Sequence, residues 1–354
     1  MTGMDEVDVV RFLRDFELEG VAVFNDSPIV LAATVAEALS LRFHTPTTAS
    51  VLSDKLLQRE FLKRAHVPVP NFAPVSLKEP KCDVPFPAVL KPRSGAGARD
   101  TFLVNTVEET RNALEKCDPT EEFILEEWLR DRERDCPLSA DIVSVETIAR
   151  DGKFQHIMVT GRFPYAPPFR DTGGFLPSDI APDDRVRVCA LAAEAAHAVG
   201  IRDGVIHTEI KLTPGGPRVV EVNGRLGGGV SKLVERVGGP SLATWVMRMA
   251  LGQSVGEYPV LASEPIAFFY FVVAPESASS VVEATGITEL SEMKSQLGID
   301  EINVNFQPGD PVNTQQTSFT AHLIRVDGVV NSLDQLAMTL GTIKSTLTMT
   351  WRLW

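Results

Sequence analysis

Two acidic residues and a carboxamide occupy a predicted hairpin in the segment 205–223. The strand sequences VIHTEIKL and RVVEVN are joined by TPGGP and carry Glu209, Glu221 and Asn223. Because side chains alternate along a strand, Glu221 and Asn223 share one face. If the hairpin closes symmetrically about Gly215, Glu209 lies opposite Glu221 with Cβ atoms about 5 Å apart. Facing carboxylates need a cation between them, and this oxygen set suits Mg²⁺ completed by phosphate oxygens. The alternative is a solvated hairpin face, because a bulge would shift the register.

An arginine and a run of glycines follow the second strand. Arg225 can stabilise negative charge that develops in phosphoryl or acyl transfer, together with N–H groups of Gly227, Gly228 and Gly229. The alternative for Arg225 is a salt bridge to a nearby acid. Because Gly229 leaves space that a bulky side chain would fill, the sequence predicts a sizeable first substrate.

A second small-residue segment follows the predicted strand FPAVLK. Lys91 ends this strand, and the loop after it contains Ser94, Gly95, Ala96, Gly97 and Ala98. Small residues allow backbone N–H groups to approach phosphate oxygens, and the lysine adds a point charge. The loop lies between two strands and lacks the GxxxxGK[ST] order, so it is not a Walker A loop.

Composition restricts the class of partner and the compartment. The chain has 354 residues, 44% of them hydrophobic, and a net charge of −13. An acidic protein is poorly suited to bind nucleic acid or an anionic membrane. The four cysteines and six histidines form no zinc or redox pattern. The N-terminus lacks the basic-then-apolar order of a signal peptide, and no apolar stretch reaches about 18 residues. We therefore expect a cytoplasmic protein with reduced thiols.

Periodicity and capping signals predict the surrounding elements. Helices are predicted at 7–18, 27–41, 53–70, 183–200, 231–252, 287–297 and 332–346, with Ser27 and Ser53 as N-caps of the second and third. Strands are predicted at 20–26, 86–91, 100–104, 123–129, 138–149, 154–162, 205–212 and 218–223, with more after 256.

The chain resembles the ATP-grasp carboxylate–amine ligases, especially the L-amino acid ligase (dipeptide synthase) branch, from about residue 20 to 350. The resemblance rests on four motifs in order: SDKLLQREFLKRAHVPVP, FPAVLKPRSGAGA, ILEEWLRDRE and HTEIKL…RVVEVNGRLGGG. It implies an α+β ATP-grasp fold in which two lobes grip ATP. The implied divisions are a shortened N-terminal α/β (Rossmann-like) domain at 1–50, an ATP-grasp domain at 51–255 with lobes 51–125 and 126–255, and a C-terminal α+β subdomain at 256–354.

The resemblance also implies roles for individual residues. Nucleotide phosphates would be bound by Lys55, Lys91 and the loop from Ser94 to Ala98, and adenine by the hinge residues Glu126, Glu127, Trp128 and Leu129. Ribose would be bound by Glu133, with Asp135 as the rival, and Mg²⁺ (Mn²⁺ as a substitute) by Glu209, Glu221 and Asn223. Arg225 would steady the acyl phosphate and the tetrahedral intermediate, with Gly228 and Gly229 as the other catalytic residues. Asp171, His207 and Gly229 would contact substrate.

Some residues depart from the family pattern. The glycine usual in the hinge turn is Asp131, and RDCP is an insertion near Glu133. In the loop that carries Asp171, a polar residue common three positions later is Gly174. A solvated loop aspartate is the alternative for Asp171.

The resemblance implies an ATP-dependent ligase that forms an amide or peptide bond through an acyl phosphate and releases ADP and phosphate. The expected partners are small carboxylate and amine substrates, with a possible homodimer. Two alternatives stay open: a ligase that uses carboxyphosphate or formyl phosphate, and a non-catalytic ATP-binding module.

Overall fold

The computed structural model describes residues 6–80, 83–132, 138–261, 263–312 and 322–353. The helices are α1 (Glu6–Leu13), α2 (Ile29–Ala38), α3 (Pro46–Ser53), α4 (Lys55–Arg64), α5 (Val107–Leu114), α6 (Pro182–Ala198), α7 (Val230–Arg236), α8 (Leu242–Ala250), α9 (Ile287–Glu292), α10 (Lys294–Leu297) and α11 (Leu333–Thr346). The strands are β1 (Phe72–Val75), β2 (Ala88–Pro92), β3 (Phe102–Val104), β4 (Phe123–Glu127), β5 (Ile142–Arg150), β6 (Lys153–Arg162), β7 (Gly173–Leu176), β8 (Gly204–Thr213), β9 (Gly216–Asn223), β10 (Ile266–Val273), β11 (Ala278–Thr285), β12 (Ile299–Val304), β13 (His322–Val330) and β14 (Thr348–Leu353).

Two antiparallel sheets carry the fold. The smaller has the order β1-β4-β2-β3, and α5 packs against β3 beside its apolar core. The larger has eight strands in the order β12-β13-β10-β7-β6-β5-β8-β9, and β11 and β14 form a separate pair. The pairing of β7 with β10 continues the large sheet across the predicted boundary at residue 255. The three-domain division therefore remains a prediction, since one sheet contains strands from both sides of it.

The N-terminal region is helical in its described part. Residues 6–53 contain α1, α2 and α3 and no strand, so the predicted strand at 20–26 is wrong. Its apolar residues Val21 and Val23 instead join the core cluster that contains Ile29 of α2. A strand needs a neighbour for its backbone hydrogen bonds, and this segment has none among the described residues.

Helix capping differs from the prediction at two serines. Pro28, not Ser27, is the N-cap of α2, and no side chain bonds its first turn. Ser53 is the last residue of α3, and the helix predicted at 53–70 begins at Lys55, two residues later, as α4. Asp54 caps α4, because its Oδ1 accepts hydrogen bonds from the backbone N–H groups of the second and third helical residues at 2.9 and 3.1 Å.

The β8–β9 hairpin aligns the two acids as predicted. Glu209 pairs with Glu221 and His207 with Asn223. Near the turn, however, Thr213 pairs with Gly216, so the hairpin is not symmetric about Gly215. A bulge beside Glu209 leaves one extra residue on β9 and restores the opposition of the acids. The predicted pairing is confirmed, although the symmetry from which it was inferred is not.

Helix α4 covers the free edge of β9. The side-chain amide of Gln58 donates to the carbonyl of Val222 and accepts from its N–H, both at 2.9 Å. Arg59 donates to the carbonyl of Val220. These bonds satisfy an exposed strand edge, and they fix Lys55, at the start of α4, beside the acids of the hairpin.

Candidate active site

A cleft of about 1720 Å³ is lined by residues of both sheets and of the N-terminal segment. Of the predicted site residues that the structure describes, Gly227 does not line the cleft and the others do: Lys55, Lys91, Ser94, Gly95, Ala96, Gly97, Ala98, Glu126, Glu127, Trp128, Leu129, Asp171, His207, Glu209, Glu221, Asn223, Arg225, Gly228 and Gly229. The ribose candidates Glu133 and Asp135 lie outside the described residues. The cleft therefore unites groups that are up to 174 residues apart in sequence, from Lys55 to Gly229.

A buried cluster of two cations and one carboxylate lies at one end. Lys91 Nζ is 2.8 Å from Glu126 Oε2, and Arg59 Nε is 2.9 Å from Glu126 Oε1. Burial lowers the pKa of Lys91. The charge of Glu126 opposes this shift, and the charge of Arg59 adds to it. Burial alone would raise the pKa of Glu126, but Arg59 and Lys91 outweigh it and hold that pKa below its usual value. The cluster thus keeps a charged carboxylate against Lys91, the lysine predicted to bind phosphate.

Lys55 links the small-residue loop to the acids of the hairpin. Its Nζ lies 3.2 Å from Glu221 Oε1 and donates to the carbonyl of Gly95 at 2.7 Å. Gly95 and Gly97 have φ values of +121° and +69°, a region that favours glycine. Arg99 anchors the loop because its Nη2 donates to the carbonyl of Ser94 at 3.3 Å. The loop is therefore shaped by its glycines and held by two cations.

The hinge residues differ in what they can offer to adenine. The side chain of Glu126 is engaged in the buried cluster, and that of Glu127 accepts from Asn71 Nδ2 at 2.8 Å. These placements do not favour the predicted contact between a hinge acid and adenine. The N–H of Trp128 donates to the carbonyl of Pro87 at 3.2 Å, whereas the N–H of Leu129 has no partner within the described ranges. Leu129 is therefore the backbone group best placed for the base.

Asp131 takes part in an ion pair at the position where the family usually has glycine. It is paired with Lys211 of β8. The substitution therefore joins the end of the hinge to the large sheet.

Glu209 is supported by a buried chain of charged groups. His207 contacts Glu146 through Nδ1 and Glu209 Oε1 through Nε2, the latter at 3.4 Å. Burial would lower the pKa of His207, but Glu146 outweighs it and raises the pKa to about 9. Burial would raise the pKa of Glu209, but the hydrogen bond from His207 and the charge of Arg162 lower it. His207 thus lies between Glu146 and Glu209 and lowers the pKa of Glu209, a placement that favours support of Glu209 over the predicted substrate contact.

The hairpin acids have the chemistry of a magnesium site. Glu209, Glu221 and Asn223 offer two carboxylates and one carboxamide from paired strands. Within the described ranges, no three His, Cys, Asp or Glu side chains are grouped closely enough to hold a metal alone. Mg²⁺ commonly takes one or two carboxylates and completes its octahedron with phosphate oxygens and water. The donor set therefore fits a metal that binds together with nucleotide.

Arg225 forms the salt bridge that was the alternative to a free catalytic cation. Its Nε donates to Asp26 Oδ1 at 2.9 Å and its Nη2 to Asp26 Oδ2 at 2.5 Å, a bidentate pair. Nη2 also lies 3.4 Å from Asn223 Oδ1. The side chain of Arg225 still lines the cleft. Asp26 therefore sets its orientation beside the proposed metal ligands.

Glycine is favoured at residues 227 and 229 for two different structural reasons. A Cβ atom on Gly227 would lie 2.4 Å from His207 Nδ1, so a side chain there would disrupt the support of Glu209. Gly229 has a φ of +76°, and a Cβ there would lie 3.4 Å from Phe269 and 3.5 Å from Arg325 Nη2. Phe269 and Arg325 thus take up the space into which a side chain at Gly229 would point, and the preference for a sizeable first substrate stays a prediction.

Asp171 lies in the cleft but is already paired. Its Oδ2 accepts from Arg162 Nη1 at 3.0 Å, and its Oδ1 accepts from the N–H of Gly173 at 2.9 Å. Gly174 packs inside the sheet, since a Cβ there would lie 2.6 Å from the carbonyl oxygen of Gly161. The family's polar side chain could not be accommodated at that position.

Several charged residues of the site were not predicted from the sequence: Asp26, Arg59, Glu146, Arg162 and Arg325. Two carried a local signal. Arg59 lies four residues after Lys55 on the same helix face, and Glu146 interrupts an apolar strand sequence. The other three are brought to the site by long-range packing alone.

No helix in the described part of the chain is both long and apolar enough to cross a membrane. The family model of the ATP-grasp domain matches residues 52–229, just over half of the chain. Carnosine synthase 1 of Homo sapiens is 27% identical over 244 residues, covering 61% of this chain and 28% of that protein. The L-arginine-specific L-amino acid ligase of Bacillus subtilis is 28% identical over 287 residues, covering 77% of this chain and 65% of that protein.

The crystal structure of an L-amino acid ligase from Bacillus licheniformis has a TM-score of 0.81 and 20% identity, covering 98% of this chain and 84% of that one. At this identity the likeness establishes the fold. The chain spans less than two thirds of the length of the two curated relatives. On the family match and the fold, the chain belongs to the ATP-grasp family.

Proposed function

We propose that the protein is an ATP-dependent carboxylate–amine ligase that forms an amide or peptide bond, with an amino acid or related small acid as a substrate. One observation carries the proposal: the paired acids Glu209 and Glu221 lie in the same cleft as Lys55, Lys91 and Arg225. Phosphate-binding cations, an oxygen-rich metal site and a cation for a developing oxyanion are the groups that acyl-phosphate chemistry requires. The names of the relatives support the same class of reaction.

The first step transfers the γ-phosphoryl group of ATP to a substrate carboxylate. Lys55 and Lys91 neutralise the phosphate oxygens, and closure of the loop 94–98 excludes water from the acyl phosphate. Lys55 contacts Glu221 and the loop carbonyl of Gly95, so it couples loop position to the metal ligands. Glu209, Glu221 and Asn223 would hold Mg²⁺, which neutralises phosphate charge when bound.

In the second step an amine attacks the acyl carbonyl and phosphate leaves. Arg225, oriented by Asp26, and backbone N–H groups of Gly228 and Gly229 stabilise the oxyanion. Asp171 remains our candidate for the acceptor amine, with Arg162 as its counterion in the free protein. We also retain as proposals a possible homodimer and a cytoplasmic location.

The test is a screen of ADP and phosphate release over pairs of amino acids and small acids with ATP and Mg²⁺, followed by mass spectrometry of products. We expect release that depends on both partners and a product joined by an amide. Glu221→Gln should abolish turnover with little change in melting temperature, since its pair with Lys55 is partly exposed.

Two outcomes would overturn the proposal in different ways. ADP release that depends on bicarbonate or formate, with no amino acid requirement, would indicate a carboxyphosphate or formyl-phosphate ligase. Tight ATP binding without turnover across the panel would indicate a non-catalytic nucleotide-binding module.

A further inference from the structure

The C-terminal residues form a wall of the cleft beside Gly229. Phe269 and Phe271 of β10 and His322 and Arg325 of β13 line it. The guanidinium of Arg325 is 4.9 Å from the ring centroid of Phe269 and 5.5 Å from that of Phe271. Phe271 in turn stacks on His322, with ring centroids 3.8 Å apart. The rings therefore provide a platform that restricts the position of the guanidinium.

A buried carboxylate holds Arg325 from behind. Arg325 Nε and Nη2 donate to Asp327 at 2.7 and 2.8 Å, and Asp327 is fully buried. Asp327 also accepts from Arg236 Nη1 at 3.1 Å, so it is shared between two guanidinium groups. Within the described ranges, Nη1 of Arg325 has no hydrogen-bond partner, and the side chain is 21% exposed. Arg325 is thus oriented, charged and able to donate into the cleft.

The acids near this wall lie behind it or across the cleft: Asp300 and Glu301 pair with Arg236, and Asp171 is held by Arg162. In the described part of the chain after residue 256, no aspartate or glutamate lines the cleft. Burial lowers the pKa of His322, the charge and backbone carbonyl of Asp171 oppose that shift, and Arg325 adds to it. Both terminal nitrogens of Arg325 lie within 3.7 Å of the position that a Cβ on Gly229 would take. Arg225, Gly229 and Arg325 line the same cleft, so a molecule bound there can face both guanidinium groups.

We propose that Arg325 binds a non-reacting carboxylate of a substrate and thereby selects substrates that carry one. A guanidinium with a fixed plane matches a carboxylate in a bidentate geometry. The carboxylate can come from either of two sources: a second acidic group on the activated acid, or the free carboxylate of an amino acid that supplies the amine. This inference rests on the proposed function, and it adds to that function a requirement on substrate charge.

The test uses the acid–amine pair that gives the fastest phosphate release in the screen. Each partner in turn is replaced by the analogue in which its non-reacting carboxylate is a primary amide, and kcat/KM is measured for the wild type, Arg325→Gln, Arg325→Lys and Arg236→Gln. Arg236→Gln is the matched control, because Arg236 shares Asp327 but does not line the cleft. Melting temperatures of all variants establish that they fold.

In the wild type we expect the carboxylate form of one partner to exceed its amide by about 10- to 100-fold in kcat/KM. Arg325→Gln should abolish that ratio, Arg325→Lys should retain part of it, and Arg236→Gln should leave it unchanged. The partner whose ratio collapses identifies the source of the carboxylate.

The inference is overturned if the preferred partners have no non-reacting carboxylate, or if a folded Arg325→Gln variant keeps both ratios. Those results leave the ligase activity standing. A wild type that turns over no pair refutes the proposed function itself, and the inference with it.

Discussion

Replacement of Glu126 by glutamine is expected to destabilise the protein strongly, because this carboxylate is the shared counterion of two buried cations. Glu126 is 4% exposed, and its two oxygens lie 2.8 Å from Lys91 Nζ and 2.9 Å from Arg59 Nε. Removal of one partner from a buried ion pair typically costs about 3–5 kcal/mol, since it leaves an uncompensated charge. Here it leaves two, and Lys55 adds a third cation nearby. We therefore expect a loss of at least about 3 kcal/mol in the free energy of unfolding.

The assay is urea denaturation followed by tryptophan fluorescence, with Glu127→Gln as the matched control. Glu127 is the next residue on β4 and is partly exposed, and among the described residues its carboxylate accepts hydrogen bonds only from Asn71. Its replacement should cost less than about 1 kcal/mol, the usual range for one net hydrogen bond. The reasoning is refuted if Glu126→Gln costs no more than Glu127→Gln.

Three further predictions concern pH, backbone strain and orientation. The folded-state pKa of Glu126 is lowered, so the stabilisation by its carboxylate should be complete above the unfolded pKa of about 4.5 and be lost as pH falls through the lower folded pKa. The difference in unfolding free energy between wild type and Glu126→Gln should therefore be constant from pH 6 to 8 and narrow below about pH 4.5. A difference that does not depend on pH would contradict this prediction. Gly229→Ala should cost about 1–2 kcal/mol in unfolding free energy, because Gly229 has a φ of +76°. In the control Gly228→Ala the new methyl group faces open space, and the cost should be less than about 0.5 kcal/mol. Equal costs of the two variants in denaturation would contradict the strain argument. Asp26→Asn should lower kcat by about tenfold in steady-state kinetics while the KM for ATP stays unchanged, because Arg225 loses its bidentate partner. An unchanged kcat would show that Asp26 does not orient Arg225.

The hairpin shows how far local pattern determined the site. Strand alternation and the Gly-rich turn predict that Glu209 and Glu221 are opposed, and the pairing confirms the opposition, although it depends on a bulge that the pattern does not indicate. The centre of the turn lies between residues 214 and 215 and not at Gly215, and the bulge beside Glu209 offsets this shift in register. Turn position and bulges depend on the pairing of β8 with β5 and on the packing of α4 against β9. The sequence of the hairpin alone indicates neither contact.

The buried charges show where local pattern was insufficient. Arg59 and Glu146 each carry a local signal that they face the site, but that signal does not identify the partner that a buried charge needs. Their partners lie 67 and 61 residues away, on other elements. Pairing at that separation is a property of the tertiary fold, so no window of sequence indicates it.

The predicted strand at 20–26 fails for a related reason. Its apolar residues do enter the core, but a strand forms only where another strand offers hydrogen bonds. The cap at Asp54 was missed because Ser53 and Asp54 are both suitable N-cap residues, and α3 ends at the first of them. In both cases local propensity allowed two structures and the surrounding fold selected one.

The most direct test of the central claim follows the oxygen atoms of the acid substrate. A carboxylate labelled with ¹⁸O on both oxygens is supplied with ATP, Mg²⁺ and the amine found in the screen, and the released phosphate is analysed by mass spectrometry. If the carboxylate attacks the γ-phosphate and the amine then displaces phosphate, one ¹⁸O atom must leave with each phosphate. The account predicts phosphate that carries one ¹⁸O per amide formed. Unlabelled phosphate released in step with amide formation would contradict the acyl-phosphate mechanism.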